Sequence, residues 1–206
     1  PAWTGNIDLG SLSFEAYREV FGLGIARRGF VNTLVFSVIA TVFAIALGTL
    51  VAYVSLRSRW RFKGTLDYLA SLPFALPGMA LGVGLLIAYL RPPVLYGTAA
   101  ILVLAFMTRY LAIAVRNSMG ALAQIDRSME EAARAAGARP WQMYWYIVLP
   151  LIAASVLGTS TLVTAAIIRE MSAAILLYSY GNEVLSVAMY AVWESGDFSQ
   201  ATAIGV

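Results

Sequence analysis

Ionisable residues that border or interrupt long apolar runs are the first candidates for chemistry in this sequence. Arg169 and Glu170 follow an apolar run that begins near Pro150, and Arg109 interrupts another run. A charge at the centre of a membrane helix costs about 2.5–3.5 kcal/mol, so such residues often line a path or pair with one another. For Arg169 and Glu170, a place beside a path and a structural role at the lipid headgroups both stay open. For Arg109 we favour a side chain that snorkels to the membrane surface.

The residue types that most catalytic and metal centres need are missing. The 206 residues include no Cys and no His, which excludes disulfides, zinc sites built on Cys or His, and Ser-His or Cys-His pairs. The sequence contains no H-E-x-x-H, no G-x-S-x-G and no phosphate-cradling G-x-x-x-x-G-K-[ST]. We therefore predict no catalytic residue, no metal site and no cofactor in this chain.

Two other membrane-protein classes were weighed on the same residues. An intramembrane enzyme needs a charged or nucleophilic constellation at membrane depth, and no Asp lies within an apolar run. A secondary transporter usually carries buried acids or interrupted helices in matching halves, and neither pattern is clear. The residues therefore support neither class.

The composition is that of a membrane protein. Hydrophobic residues make up 60% of the sequence and charged residues 12%, whereas a soluble domain carries about 25% charged residues. Helices satisfy their own backbone groups in lipid, so the expected fold is an all-α bundle of several transmembrane helices. The net charge of +3 comes from local basic clusters, which argues for membrane lipid and against nucleic acid as a partner.

Apolar runs of about 20 residues predict the spans. We expect an entry segment over residues 1–30 and a transmembrane domain over 31–206, with about five spans of which the last is truncated. The predicted spans are 31–55, 67–90, 97–118, 150–170 and 199–206 onward. Pro73 and Pro77 lie inside the second run, and we expect the native chain to continue past Val206.

The distribution of Lys and Arg predicts the orientation of the loops. Residues 57–63 hold four basic residues, residues 91–96 hold one, and residues 171–198 hold none. The positive-inside rule therefore places 57–63 and 119–149 in the cytoplasm, and 91–96 and 171–198 outside. The basic residues of the entry segment run against this rule, and the other loops carry more weight.

The cytoplasmic segment 119–149 has features of a docking element. Ser128 and Glu131 form an S-x-x-E capping box that predicts a helix start, and Gly137 is suited to end that helix in the left-handed conformation. Pro140 suits the first turn of a second helix. One face of this helix carries Met129 and three small side chains, Ala132, Ala133 and Ala136. An ordinary surface helix is the alternative, but this helix has neither a Lys/Arg-rich polar face nor a bulky apolar face.

This segment resembles the EAA motif of permease subunits of type I ABC importers, which reads E-A-A, three residues, G, nine residues, I, one residue and L-P. Every fixed position of the motif has its counterpart at the right spacing, in Glu131-Ala132-Ala133, Gly137, Ile147 and Leu149-Pro150. The stretches "FVNTLVFSV", "LPFALPGMALGVGLL" and "REMSAAILL" are also similar to this family.

The resemblance implies a function and a set of partners. It implies a bacterial inner-membrane permease whose short cytoplasmic helix docks in a groove of an ATP-binding cassette ATPase, the subunit that hydrolyses ATP. A periplasmic or lipoprotein solute-binding protein and a second permease half, fused or separate, would complete the importer. The ferric-iron branch looks most similar, and thiamine, polyamine, phosphonate and sulfate importers share most of these features.

The resemblance also assigns roles to residues. Coupling to the ATPase would rest on Glu131, Ala132, Ala133, Ala136 and Gly137, whereas Arg57 in the other cytoplasmic loop should contribute much less. The expected residues beside the translocation path are Thr161, Thr164, Arg169, Glu170 and Ser172. For the hydroxyl residues of this stretch, hydrogen bonding to their own helix is the alternative interpretation.

Overall fold

The computed structural model describes residues 15–58, 60–91 and 94–205, and these ranges consist of helices and connecting turns without a β-strand. The all-α fold class is therefore confirmed. The helices are α1 (Glu15–Gly22), α2 (Gly24–Arg57), α3 (Lys63–Ala75), α4 (Gly78–Leu90), α5 (Ala99–Ala123), α6 (Arg127–Ala135), α7 (Pro140–Met143), α8 (Leu149–Leu151), α9 (Ala153–Ile168), α10 (Ala174–Leu177), α11 (Leu185–Glu194) and α12 (Phe198–Gly205).

Helices α2 and α5 are each long and apolar enough to cross a membrane. The 34 residues of α2 extend over about 51 Å at 1.5 Å per residue, more than the hydrocarbon thickness of about 30 Å. Helix α2 begins at Gly24. The predicted boundary between the entry segment and the membrane domain, at residues 30 and 31, therefore lies inside this helix. Residues 1–14 of the predicted entry segment lie outside the described residues.

The second apolar run is divided into α3 and α4 rather than forming one straight helix. The break lies at Leu76 and Pro77, where Leu76 has an extended backbone with φ −80° and ψ 140°. A residue before proline is pushed away from the helical region, and proline itself offers no N–H. The guanidinium of Arg109 donates to the Leu76 carbonyl at 3.2 Å. Arg109 thus caps a carbonyl at the break, and the expectation that it snorkels to the membrane surface stays a prediction.

The fourth predicted span also begins with an irregular segment. Residues Tyr144–Val148 form a π-helical turn between α7 and α8. The segment Pro140–Leu151 is bent by 74° from α9, with the change of direction at Ile152. Pro150 is the second residue of α8, directly after this π-helical turn. The missing N–H of proline is tolerated there because it lies in the first turn of a helix.

The described residues form two compact units. The first contains residues from 15–38, 78–105 and 168–205, and the second contains 39–77 and 106–167. In the first unit, α12 packs on α11 and α1, and α10 packs on α4. The second unit has a core in which Ala52, Leu122, Tyr144, Val148 and Ile152 are buried together. This core fixes the segment 119–149 onto α2 and α5.

Candidate functional site

Helix α6 forms the centre of segment 119–149, and its first turn is capped by Asp126. The Asp126 carboxylate accepts a hydrogen bond from the Ser128 backbone N–H at 2.9 Å. Hydrogen bonds from the Ser128 backbone and side chain hold the pKa of this carboxyl below its ordinary value of 3.8. The predicted capping box was therefore wrong. Ser128 is the second residue of the helix, and the N-cap residue is Asp126, whose side chain accepts a hydrogen bond from the Ser128 amide.

The end of α6 follows the prediction closely. Gly137 has φ +86°, a left-handed conformation that a side chain would strain. Its N–H donates to Arg134 O at 3.0 Å, and the Ala138 N–H donates to Ala133 O, also at 3.0 Å. These two bonds form a Schellman motif, which satisfies the last carbonyls of the helix. The predicted stop at Gly137 is confirmed.

The two long faces of α6 differ in chemistry, and the buried side chain of this helix, Glu130, lies on the charged face. Met129, Ala132 and Ala136 are exposed and Ala133 is half-buried, so the small-residue face is open. The other face carries Arg127, Glu130, Glu131 and Arg134 and lines a polar cleft of about 260 Å³. The structure therefore separates Glu131 from the three alanines with which the motif groups it.

A buried ion pair holds this charged face in place. The Arg57 guanidinium lies 2.7 Å from the Glu130 carboxylate, and the two side chains are 9% and 5% exposed. Arg57 also donates to Leu122 O at 3.0 Å and to Ile125 O at 2.9 Å. The sequence analysis did not single out Glu130, and it expected Arg57 to contribute little to coupling. The signal for Glu130 was the adjacent pair of acids, since neighbouring helical residues face different directions.

The return into the apolar run begins at Pro140, as predicted. Pro140 occupies the first turn of α7, and Gln142 accepts a hydrogen bond from the Arg139 backbone N–H at 2.8 Å. Met143 and Tyr144 are buried, whereas Trp141, Trp145 and Tyr146 are exposed. Exposed Trp and Tyr at the start of an apolar run are typical of the membrane–water interface.

The two predicted path residues of α9, Thr161 and Thr164, have different hydrogen-bond partners. Thr161 donates to Leu157 O at 3.1 Å, and the neighbouring Ser160 donates to Val156 O at 2.7 Å. Thr164 differs because its hydroxyl lies 2.9 Å from that of Thr41 on α2. A hydroxyl that is bonded in this way is a structural contact between helices.

Arg169, Glu170 and Ser172 belong to the other compact unit. Arg169 is exposed and lines an apolar cavity of about 570 Å³, and Ser172 is half-buried. Glu170 is buried, and its carboxylate accepts a hydrogen bond from the Ala173 N–H at 3.3 Å. The Glu170 carbonyl accepts another from Ser186 at 3.0 Å. Arg169 and Glu170 therefore face different surroundings, as expected for adjacent residues.

Within the described ranges, no group of three or more His, Cys, Asp or Glu side chains is placed to hold a metal ion.

Comparison with known proteins identifies the family. Residues 44–206 match the family described as "Binding-protein-dependent transport system inner membrane component". The ferric transport system permease protein FbpB of Actinobacillus pleuropneumoniae is 30% identical over 201 residues, which cover 95% of this chain and 29% of that protein. The chain thus spans less than a third of the length of this relative.

Two solved structures share the fold. A bacterial ABC transporter involved in the import of the acidic polysaccharide alginate superimposes with a TM-score of 0.78 at 17% identity, covering 96% of this chain and 78% of that chain. The MetNI methionine ABC transporter superimposes with a TM-score of 0.69 at 19% identity, covering 88% and 87%. The chain belongs to the inner-membrane components of binding-protein-dependent transport systems, the ABC importer permeases that its loop motif resembles, and is a multi-pass membrane component.

Proposed function

We propose that this chain forms part of the translocation path of an ABC importer and that α6 couples this path to ATP hydrolysis by a partner ATPase. The observation that carries the proposal is the division of α6 into two faces. The face of Met129, Ala132, Ala133 and Ala136 is open, while the opposite face is tied to the rest of its unit through Glu130. Because the charged face keeps α6 in place, the exposed face can bind in a groove of a partner without a change in the position of the helix.

The chemistry of the open face limits what can dock there. Alanine side chains let another surface approach the helix backbone closely, as small residues do where helices pack together. Added volume in such a contact forces side chains or backbone to move, typically at a cost of about 1–3 kcal/mol. The partner is therefore a preformed groove, and we assign it to the ATP-binding cassette subunit. A solute-binding protein and a second permease half complete the proposed importer.

Ferric iron is the proposed cargo. Support comes from FbpB of Actinobacillus pleuropneumoniae and from a relative in Haemophilus influenzae that also carries a ferric transport name, at 30% and 31% identity. Relatives named for 2-aminoethylphosphonate and sulfate transport match at 25% and 28%. Uptake of radiolabelled ferric iron by cells that carry the importer, compared with cells that lack it, tests this choice. Iron uptake that is equal in both, with phosphonate or sulfate uptake restored instead, would reassign the cargo.

The coupling role is tested by a substitution that adds volume at the end of α6. Gly137→Val places a β-branched residue in a left-handed conformation, which is strongly disfavoured. Gly120→Val is the matched control, because Gly120 lies on α5 with open space around it and no positive φ. We expect both variants to insert in the membrane. Gly137→Val alone should weaken ATPase binding and abolish the stimulation of ATP hydrolysis by the loaded binding protein.

The readout is stimulated ATP hydrolysis in reconstituted complexes, with membrane insertion measured separately. Normal stimulation of the Gly137→Val complex would show that α6 is not the coupling element. A loss of stimulation with both valine variants would instead indicate a general sensitivity of the unit to added volume.

A further inference from the structure

We propose that Arg57 is a positioning residue that binds α6 to the ends of α2 and α5, so that a displacement of α6 reaches both long helices together. This inference rests on the proposed coupling role of α6. Arg57 is the last residue of α2, and its partner Glu130 lies in the first turn of α6. The guanidinium thus stands where these two helices meet the end of α5.

The contacts of Arg57 reach two different elements at once. Its Nε lies 2.7 Å from Glu130 Oε1, while its Nη2 donates to Leu122 O on the last turn of α5 and to Ile125 O just beyond that helix. A guanidinium has five N–H donors in a rigid planar fork. Lysine carries the same charge on a single ammonium at the end of a flexible chain, so it does not reproduce this geometry.

A second contact runs in the opposite direction between the same helices. Arg127, the first residue of α6, donates from Nη2 to Leu56 O at 3.3 Å. The end of α2 is therefore joined to α6 by one side chain from each helix. Two such contacts restrict rotation of α6 about the end of α2, whereas a single contact leaves it free to pivot.

Because the ion pair between Arg57 and Glu130 is buried, we expect it to fix the position of α6 rather than to add net stability to the fold. A buried pair that loses one partner is strongly destabilised, but replacement of both partners by apolar residues of similar size is often neutral or stabilising. Apolar contacts have no preferred direction, however, and they cannot bind the carbonyls of Leu122 and Ile125. We therefore expect an apolar replacement to preserve the fold and to lose the directional link.

The ion pair between Arg116 and Asp67 in the same unit provides a matched control. Its atoms are 3.2 Å apart, and its side chains are 56% and 24% exposed. Exposed pairs of this kind contribute little to stability. Removal of Arg116 therefore deletes a guanidinium and an ion pair without touching α6.

The experiment compares Arg57→Lys, the double variant Arg57→Met with Glu130→Leu, and Arg116→Ala in the permease assembled with its ATPase. These 206 residues include no Cys, so Ala135→Cys, at an exposed residue of α6, introduces a site for a spin label that is unique within them. Any cysteine elsewhere in the complex is first replaced by serine. We expect the double variant to assemble, to show a more mobile label, and to lose about tenfold in stimulated ATP hydrolysis. Arg57→Lys should fall between this variant and the parent, and Arg116→Ala should match the parent.

Stimulation and label mobility that stay at the parent level in the double variant would overturn the proposal. Gly137→Val, measured on the same vesicles, separates this failure from a failure of the coupling role. If Gly137→Val loses stimulation while the double variant retains it, α6 couples without the Arg57 link. If Gly137→Val also retains stimulation, the coupling role itself is wrong.

Discussion

Thr49 and Tyr144 share a buried hydrogen bond, with 2.7 Å between their hydroxyl oxygens. The Thr49 hydroxyl also lies 2.8 Å from Ile45 O and 3.1 Å from Ala46 O, carbonyls of its own helix. Thr49 has one hydroxyl hydrogen, which these carbonyls can accept, so Tyr144 is the donor in the shared bond. This bond joins α2 to the π-helical turn through which the chain re-enters its apolar run.

The two ends of this bond should differ in their sensitivity to substitution. Tyr144→Phe leaves Thr49 bonded to its own helix, so we expect a loss of about 0.5–1.5 kcal/mol in the free energy of unfolding. Thr49→Val removes the acceptor and leaves the buried Tyr144 hydroxyl without a hydrogen-bond partner in α2. This change should lower the free energy of unfolding by about 1–3 kcal/mol. Equilibrium unfolding in detergent micelles measures both values. A larger loss for Tyr144→Phe would contradict the assigned direction of the bond.

Gly48 should tolerate no added carbon atom. A Cβ at this position would lie 2.6 Å from the Ala114 Cβ and 3.0 Å from the Ala114 backbone carbon. Because backbone cannot move aside as a flexible side chain can, Gly48→Ala should destabilise the second unit by about 1–3 kcal/mol.

Gly158→Ala provides the control for this substitution. Gly158 lies on α9 with open space around it, and alanine favours a helix over glycine by about 1 kcal/mol. We therefore expect opposite shifts in the thermal unfolding temperature of the two variants. A Gly48→Ala variant with unchanged stability would show that the close contact between α2 and α5 is not maintained. A destabilised Gly158→Ala variant would show that the space around Gly158 is not open.

The start of α6 should depend on a charged Asp126. Its pKa is lowered in the folded state, so the stabilisation is fully present above the ordinary value of 3.8 and is lost as the pH falls through the lowered value. At neutral pH, Asp126→Ala should speed hydrogen exchange of the Ser128 amide. Asp126→Asn, which keeps an acceptor oxygen, should preserve most of the protection. Equal exchange rates in both variants and the parent protein would show that this cap does not protect the first turn.

Glu170→Gln should lower transport more than it lowers assembly. Glutamine keeps an oxygen that can accept from the Ala173 N–H, so the local turn is retained. The negative charge is lost from a buried site in a segment that we propose lies near the translocation path. The yield of purified complex and the rate of uptake should therefore change by different factors. Losses of the same size in both would assign Glu170 a structural role.

Much of segment 119–149 was readable from the sequence because its signals are local. A glycine that needs a left-handed backbone, a proline that suits a first turn and small residues at helical spacing each act within a few residues. The stop at Gly137, the start at Pro140 and the open face of Ala132 and Ala136 follow from such signals. The cap was misassigned because Asp126 and Ser128 are both good capping residues, and the choice between them depends on backbone geometry.

Composition, spacing and turn residues therefore determined that this is a helical membrane protein and that the short helix of segment 119–149 ends at Gly137. That this helix lies in the cytoplasm and docks on a partner stays a prediction. Only the tertiary structure decided that Arg57 binds α6, that its partner there is Glu130 and not Glu131, and that Arg109 caps the break at Leu76. Each of these contacts joins residues more than 30 positions apart, since Arg57 and Glu130 are 73 positions apart by number and Arg109 and Leu76 are 33 apart. A charged residue in an apolar sequence predicts that its side chain binds a partner. Which residue becomes the partner depends on helix packing, because packing brings segments that are distant in sequence within hydrogen-bond reach.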